Sequence, residues 1–156
     1  MRRVSISDPT FTYDPDDADG FRAGMFRLGP DLEAERTGTT VYELPPGQSV
    51  CPYHYEYGEE EWLLVLAGRP SVRTPEGIER VGPSDVVFFP IGAAGAHQVI
   101  NDTDEAVRVL MWSMVTIPTG TAYPDSDKVA LWTGDRAEDV IVRRSSGVEY
   151  YDGEGV

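Results

Sequence analysis

Residues 47–68 read GQSVCPYHYEYGEEEWLLVLAG, and residues 83–101 read PSDVVFFPIGAAGAHQVIN. Together they hold both histidines of the chain, His54 and His97, each set in a run of strand-like composition. Side chains alternate between faces along a strand. A strand over residues 50–57 therefore puts His54 and Glu56 on one face and Cys51, Tyr53, Tyr55 and Tyr57 on the other. That parity predicts Cys51 to be a small packed thiol turned away from His54. Over residues 61–67 it separates Glu60 from Glu61, so only one of the two can face an interior unless a bulge exchanges them.

Working outward, the chain reads as short strands punctuated by Gly and Pro. Residues 39–44 alternate and stop at Pro45-Pro46-Gly47. Residues 71–74 and 78–81 flank the turn Pro75-Glu76-Gly77 as a hairpin. Residues 85–89 are apolar on both faces, as for a strand covered on both sides. Residues 107–115 form a long strand with Val109 and Met111 on one face. Shorter strands follow at 129–132 and 140–143, with YPDSDK as a turn before them. There is no long helical periodicity and no short internal repeat, which predicts an all-β antiparallel barrel or jelly roll.

With 156 residues, 40% hydrophobic and 26% charged, the chain suits one domain with a core of its own. No run approaches the roughly 18 apolar residues of a membrane span. MRRVSISDP has two arginines but no apolar run behind them, so it does not read as a signal peptide. One cysteine excludes an internal disulfide and is compatible with a cytoplasmic location. The net charge of −14 repels phosphate backbones and argues against nucleic acid. The acidic stretch DPDDADG is not a calcium loop. With Gly20 at its sixth position, Pro15 and Phe26 would fall where oxygen ligands are needed.

The residues carrying chemistry resemble the two motifs of the cupin superfamily, and specifically small single-domain bacterial cupins. Gly47, His54, Glu56, Glu61 and Gly68 fall on the first motif, and Pro90, Gly92, His97 and Asn101 on the second. There are two departures. Glu56 stands where the motif has its second histidine, and the gap from Gly92 to His97 is two residues longer than usual. The resemblance implies a double-stranded β-helix, or jelly-roll barrel, with its core over residues 39–117. An N-terminal arm over residues 1–38 packs on the barrel or a partner, and residues 118–156 extend the same domain. The motif spacing to Gly68 selects Glu61 over Glu60.

The resemblance also implies a divalent transition metal (Fe, Mn, Ni or Zn) held by His54, Glu56, Glu61 and His97, with Glu56 and Glu61 as candidate acid–base groups. Two histidines and one carboxylate make the facial set of non-haem iron chemistry. The extra carboxylate of Glu56 favours a hard ion, or else marks a barrel that has lost its metal. The reading that follows is a metal-dependent, oxygenase-like enzyme or an isomerase acting on a small molecule. The alternative is a non-catalytic small-ligand binder or sensor. The arm aromatics Phe11, Tyr13, Phe21 and Phe26 and the two-sided apolar strands predict a homodimer.

Overall fold

In the computed structural model, which describes residues 1–155, almost all regular structure is antiparallel strand. Strands β1 (Gly24–Arg27), β2 (Thr37–Leu44), β3 (Tyr55–Glu56), β4 (Glu61–Ala67), β5 (Ser71–Thr74) and β6 (Gly77–Arg80) come first. They are followed by β7 (Val86–Phe89), β8 (Gln98–Ile100), β9 (Val107–Met114), β10 (Thr119–Tyr123), β11 (Lys128–Trp132) and β12 (Val140–Arg143). One sheet runs β1-β2-β9-β4-β7. Facing it are β12-β11-β10-β3 and β6-β5-β8, stitched together by the isolated pairs His54–His97 and Ser49–Ile100. This is the jelly-roll barrel the resemblance implies. No helix among the described residues is long and apolar enough to cross a membrane.

The alternation in β2, β4 and β9 builds the core. Inward rows place Leu44 beside Val107, Tyr42 beside Val109 and Val65, and Met111 beside Leu63. With Val72 and Val99 from the facing sheet they form one buried cluster. Outward rows carry Trp62 between Trp112 and Phe88, and Leu64 between Leu110 and Val86. Both termini add strands. GMFR of the arm becomes β1 along β2, and residues 119–143 supply β10 to β12.

Two details differ from the expected strands. Residues 50–57 are not one strand. Only Tyr55–Glu56 is regular, and residues 50–53 bend between the paired Ser49 and His54. Pro52 has no N–H to give a ladder, so the run kinks there. The five-residue β10 lies in TGTAY, whose small and polar residues hide its strand character.

Asn101 locks the end of β8 to the start of β9. It is fully buried, and its Nδ2 donates to the Leu44 and Glu105 carbonyls at 2.8 Å each. Its Oδ1 accepts from the Thr103 backbone N–H at 3.0 Å and from Thr103 Oγ1. Asn101→Ala strands these buried partners and is expected to destabilise the fold by about 3 kcal/mol. Urea melts should show the midpoint falling with an unchanged slope. A loss below about 1 kcal/mol would contradict this bracing role.

Candidate metal centre

The centre is built on the pairing of His54 with His97. The His54 N–H donates to the His97 carbonyl at 3.1 Å, and the His97 N–H returns a bond at 2.8 Å. Directly opposed residues of an antiparallel pair project to one face. The two imidazoles therefore emerge together, with ring centroids 4.6 Å apart. Glu61, the first residue of β4, reaches them from the facing sheet. Its Oε2 lies 3.4 Å from His54 Nε2 and 3.6 Å from His97 Nε2. One ligand atom from each of the three residues lies within 4.8 Å of the others.

Backbone carbonyls orient both rings. His97 Nδ1 is 2.9 Å from the Gly95 oxygen, and His54 Nδ1 is 3.0 Å from the Pro52 oxygen with Cys51 Sγ flanking at 3.4 Å. A carbonyl only accepts, so Nδ1 carries hydrogen in each ring and Nε2 turns toward Glu61. Metal-binding histidines are commonly held in this way. His97 is also clamped by Phe89, the rings stacked at 3.6 Å. Its Nε2 is buried and meets no hydrogen-bond partner among the described residues, a requirement that a cation would satisfy. The loop over residues 92–96 makes this possible. A Cβ at Gly95 would sit 1.7 Å from the Pro90 oxygen, so only glycine lets the backbone fold close enough to present its carbonyl to the ring.

Glu56 stands beside these three residues. β3 pairs with β10 so that Thr121 opposes it, and Thr121 Oγ1 lies 2.8 Å from both carboxylate oxygens. The Trp132 indole N–H donates to the same hydroxyl at 2.7 Å, leaving its hydrogen for Glu56. Glu56 Oε1 is 3.8 Å from His54 Nε2. Glu60, the alternative to Glu61, is exposed.

The charges follow from this crowding. Burial opposes the His54 imidazolium, but the Cys51 sulfur and the Glu61 carboxylate outweigh it and hold the pKa up at about 11. Burial and the charge of His54 push His97 down to about 4. Burial would raise Glu61, yet the two imidazoles keep it below its ordinary value. Burial, reinforced by Glu61 and resisted by the Thr121 hydroxyl, lifts Glu56 to about 7. Without an ion, the centre thus holds a His54–Glu61 ion pair, a neutral His97 and a Glu56 that titrates near neutrality.

Cys51 corrects the sequence reading. The bend at Pro52 turns it to the His54 side, where it borders a cavity of about 430 Å³. Thr121 and Tyr123 were missed because β10 carries little apolar signal; Tyr123 stacks near His54 at 6.2 Å. Arg73, beside the turn between β5 and β6, covers the Tyr53 ring at 4.0 Å and pairs with Asp125. Of the arm aromatics, Phe21 lines the cavity, while the Tyr13 hydroxyl donates to Glu43 at 2.7 Å.

Residues 40–113 match the family model described as Cupin domain. Among solved structures, the chain is similar to a putative sugar phosphate isomerase from Acidithiobacillus ferrooxidans. Identity is 25% over 83% of this chain and 81% of that one, with a TM-score of 0.76. It is also similar to the polyketide cyclase RemF from Streptomyces resistomycificus, at 26% identity over 73% and 79% of the two chains, TM-score 0.59. A cupin-superfamily sugar phosphate isomerase from Silicibacter pomeroyi shares the fold over 96% of this chain and 98% of its own, at 20% identity and a TM-score of 0.80. No curated protein sequence matches the chain.

Proposed function

We propose, from the premise that this chain belongs to the cupin superfamily, that it is a metal-dependent enzyme acting on a small organic molecule. The observation that carries this reading is the convergence of Nε2 of His54, Nε2 of His97 and Oε2 of Glu61, with the His97 nitrogen buried and unpartnered. Neutral imidazole and carboxylate fit Fe, Mn, Ni or Zn. Such an ion would act there as a Lewis acid or, if iron or manganese, as a redox centre with open positions. His54, Glu61 and His97 would hold it, with Glu56 next to His54.

The two-histidine, one-carboxylate set favours oxygenase-like chemistry. Proton-transfer chemistry, as in an isomerase, is the second reading. Glu56 favours it: a carboxyl titrating at about 7 and held by Thr121 suits a general acid–base. The putative sugar phosphate isomerase among the similar structures adds support to that alternative.

Elemental analysis of protein purified without chelator or affinity metal tests the proposal, with His97→Ala beside it. Near-stoichiometric metal in the wild type, lost in the variant, is expected. No metal even after reconstitution would overturn the proposal and leave a non-catalytic ligand binder. Oxygen uptake by the iron- or manganese-loaded protein separates oxygenase from isomerase.

We also propose a homodimer. The outer face of the first sheet carries stacked Trp62 and Trp112, with Phe88 41% and Val86 55% exposed. A second copy would cover this apolar face. Size exclusion at micromolar concentration is expected to give a dimer, and a clean monomer would rule it out.

A further inference from the structure

The cavity of about 430 Å³ beside the metal centre lies between the inner face of β2, arm residues 17–25 and the bend at 50–54, with His54 and Glu61 in its wall. Its lining points to a ligand chemistry. Phe21 and Tyr42 offer aromatic faces, and Met25 and Met111 offer polarisable thioethers. Both groups favour contact with an aromatic ring. Ser113 and Thr40 add neutral hydroxyls.

The permanent charges in this wall are acidic. Asp17 and Glu61 line it, no Lys or Arg among the described residues does, and the His54 imidazole in the same wall is already engaged by Glu61 at 3.4 Å. Arg22, within the arm, pairs with Asp19 at 2.9 Å and donates to the Asp17 backbone oxygen. Arg27 touches the Met25 sulfur at 3.4 Å, and its field reaches Tyr42, but it lines a separate cleft with Asp14 and Asp31. A phosphate dianion here would face two carboxylates in a chain whose net charge is −14. A divalent ion beside Glu61 would be balanced by the Glu61 and Asp17 carboxylates, leaving no net positive charge in the wall for a phosphate dianion. Asp17 instead suits a hydroxyl hydrogen, because an ionised carboxylate only accepts.

We propose that the cavity takes an uncharged, hydroxylated aromatic molecule of the phenol or catechol class, and that phosphorylated sugars are excluded. This rests on the metal-dependent reading above and names the substrate class of that site. It also separates the chain from the sugar phosphate isomerases whose fold it shares, since a phosphorylated substrate calls for an unpaired cation, and this wall has no Lys or Arg among the described residues and has His54 already paired with Glu61.

The test is calorimetric binding of catechol, glucose 6-phosphate and inorganic phosphate to the full chain. Both the metal-free protein and the protein loaded with redox-silent zinc are titrated. Catechol is expected to bind at least tenfold more tightly than glucose 6-phosphate in the zinc form, and to keep that preference without zinc. Asp17→Arg places a cation in the wall and is expected to narrow or reverse the ratio. Glucose 6-phosphate or phosphate binding as tightly as catechol overturns the proposal, as does absence of catechol binding in both forms. Failure to retain zinc together with a surviving catechol preference overturns the metal reading alone. A positively charged aromatic amine binding more tightly than catechol would reassign the site to cations.

Discussion

Saturating divalent metal is expected to raise the melting temperature of this protein strongly at pH 7.5 and hardly at all at pH 5. At a free ion concentration one hundred times its Kd, binding to the native state alone stabilises it by about 2.7 kcal/mol. For a chain of this size that corresponds to roughly 8 °C. Binding at neutral pH displaces a proton from His54, because the ligand must be neutral while the metal-free ring is held protonated to about 11. One displaced proton weakens apparent affinity about tenfold per pH unit, so the step to pH 5 costs roughly 300-fold. The same ion concentration then contributes only about 0.2 kcal/mol.

The metal-free fold has its own pH dependence in this window. His54, raised above its ordinary 6.5, contributes stability that is complete below that value and fades as pH climbs toward about 11. Glu56, raised from 4.5 to about 7, favours the fold while neutral and loses that contribution as pH rises through about 7. Glu61, lowered, contributes above its ordinary 4.5 and loses its contribution on acidification. His97, lowered to about 4, contributes above 6.5 and loses its contribution as pH falls through about 4. Between pH 5 and 7.5 the metal-free protein therefore gives up the advantage of a neutral Glu56, and the ion compensates for that carboxylate charge. Titration calorimetry in buffers of different ionisation enthalpy should show release of about one proton per ion at pH 7.5. Equal thermal shifts at the two pH values, or no proton release, would sink this account.

How much of this was legible depends on how regular the backbone is around each residue. Glu61 could be chosen over Glu60 because the motif spacing to Gly68 singles it out where parity alone allows only one of the two inward, and the structure puts Glu61 beside both imidazoles while Glu60 is exposed. His54 and Glu56 share a side because the chain is extended from 54 to 56. Cys51 was misplaced because parity is transmitted only through a continuous ladder, and Pro52 interrupts it three residues before Tyr55. The pairing of His54 with His97 was beyond any local pattern. It is a contact across 43 residues, secured by a glycine whose need is steric. Thr121 is a similar case: a small polar residue in a weakly patterned segment, given its role by register with Glu56. The long-range partners of a site are set by topology, which a single sequence shows only through motif spacing.

Glu61→Gln and Glu56→Gln are expected to separate the two carboxylates by function. Glu61 is the oxygen donor common to both imidazoles, at 3.4 and 3.6 Å from their Nε2 atoms. Its amide replacement keeps the shape but removes the negative charge, and an uncharged oxygen is a much poorer partner for a divalent ion. Metal affinity measured by chelator competition is expected to fall at least about 100-fold. Loss of the carboxylate also removes one of the groups holding His54 protonated, so the number of protons released per ion should drop in whatever binding remains. Glu56 differs because its oxygens are engaged by Thr121, 3.8 Å short of the nearest imidazole nitrogen. Glu56→Gln is expected to keep metal affinity within about tenfold of wild type, since it removes a neighbouring charge and not a shared donor. In an assay of turnover the same variant should lose about 10²-fold or more, the usual contribution of a general acid–base. Its pH–rate profile should lose the limb near pH 7 that the wild-type carboxyl supplies. The reverse pattern, with metal lost in Glu56→Gln and retained in Glu61→Gln, would make Glu56 the ligand that stands in for a histidine and leave Glu61 as the proton-transfer group.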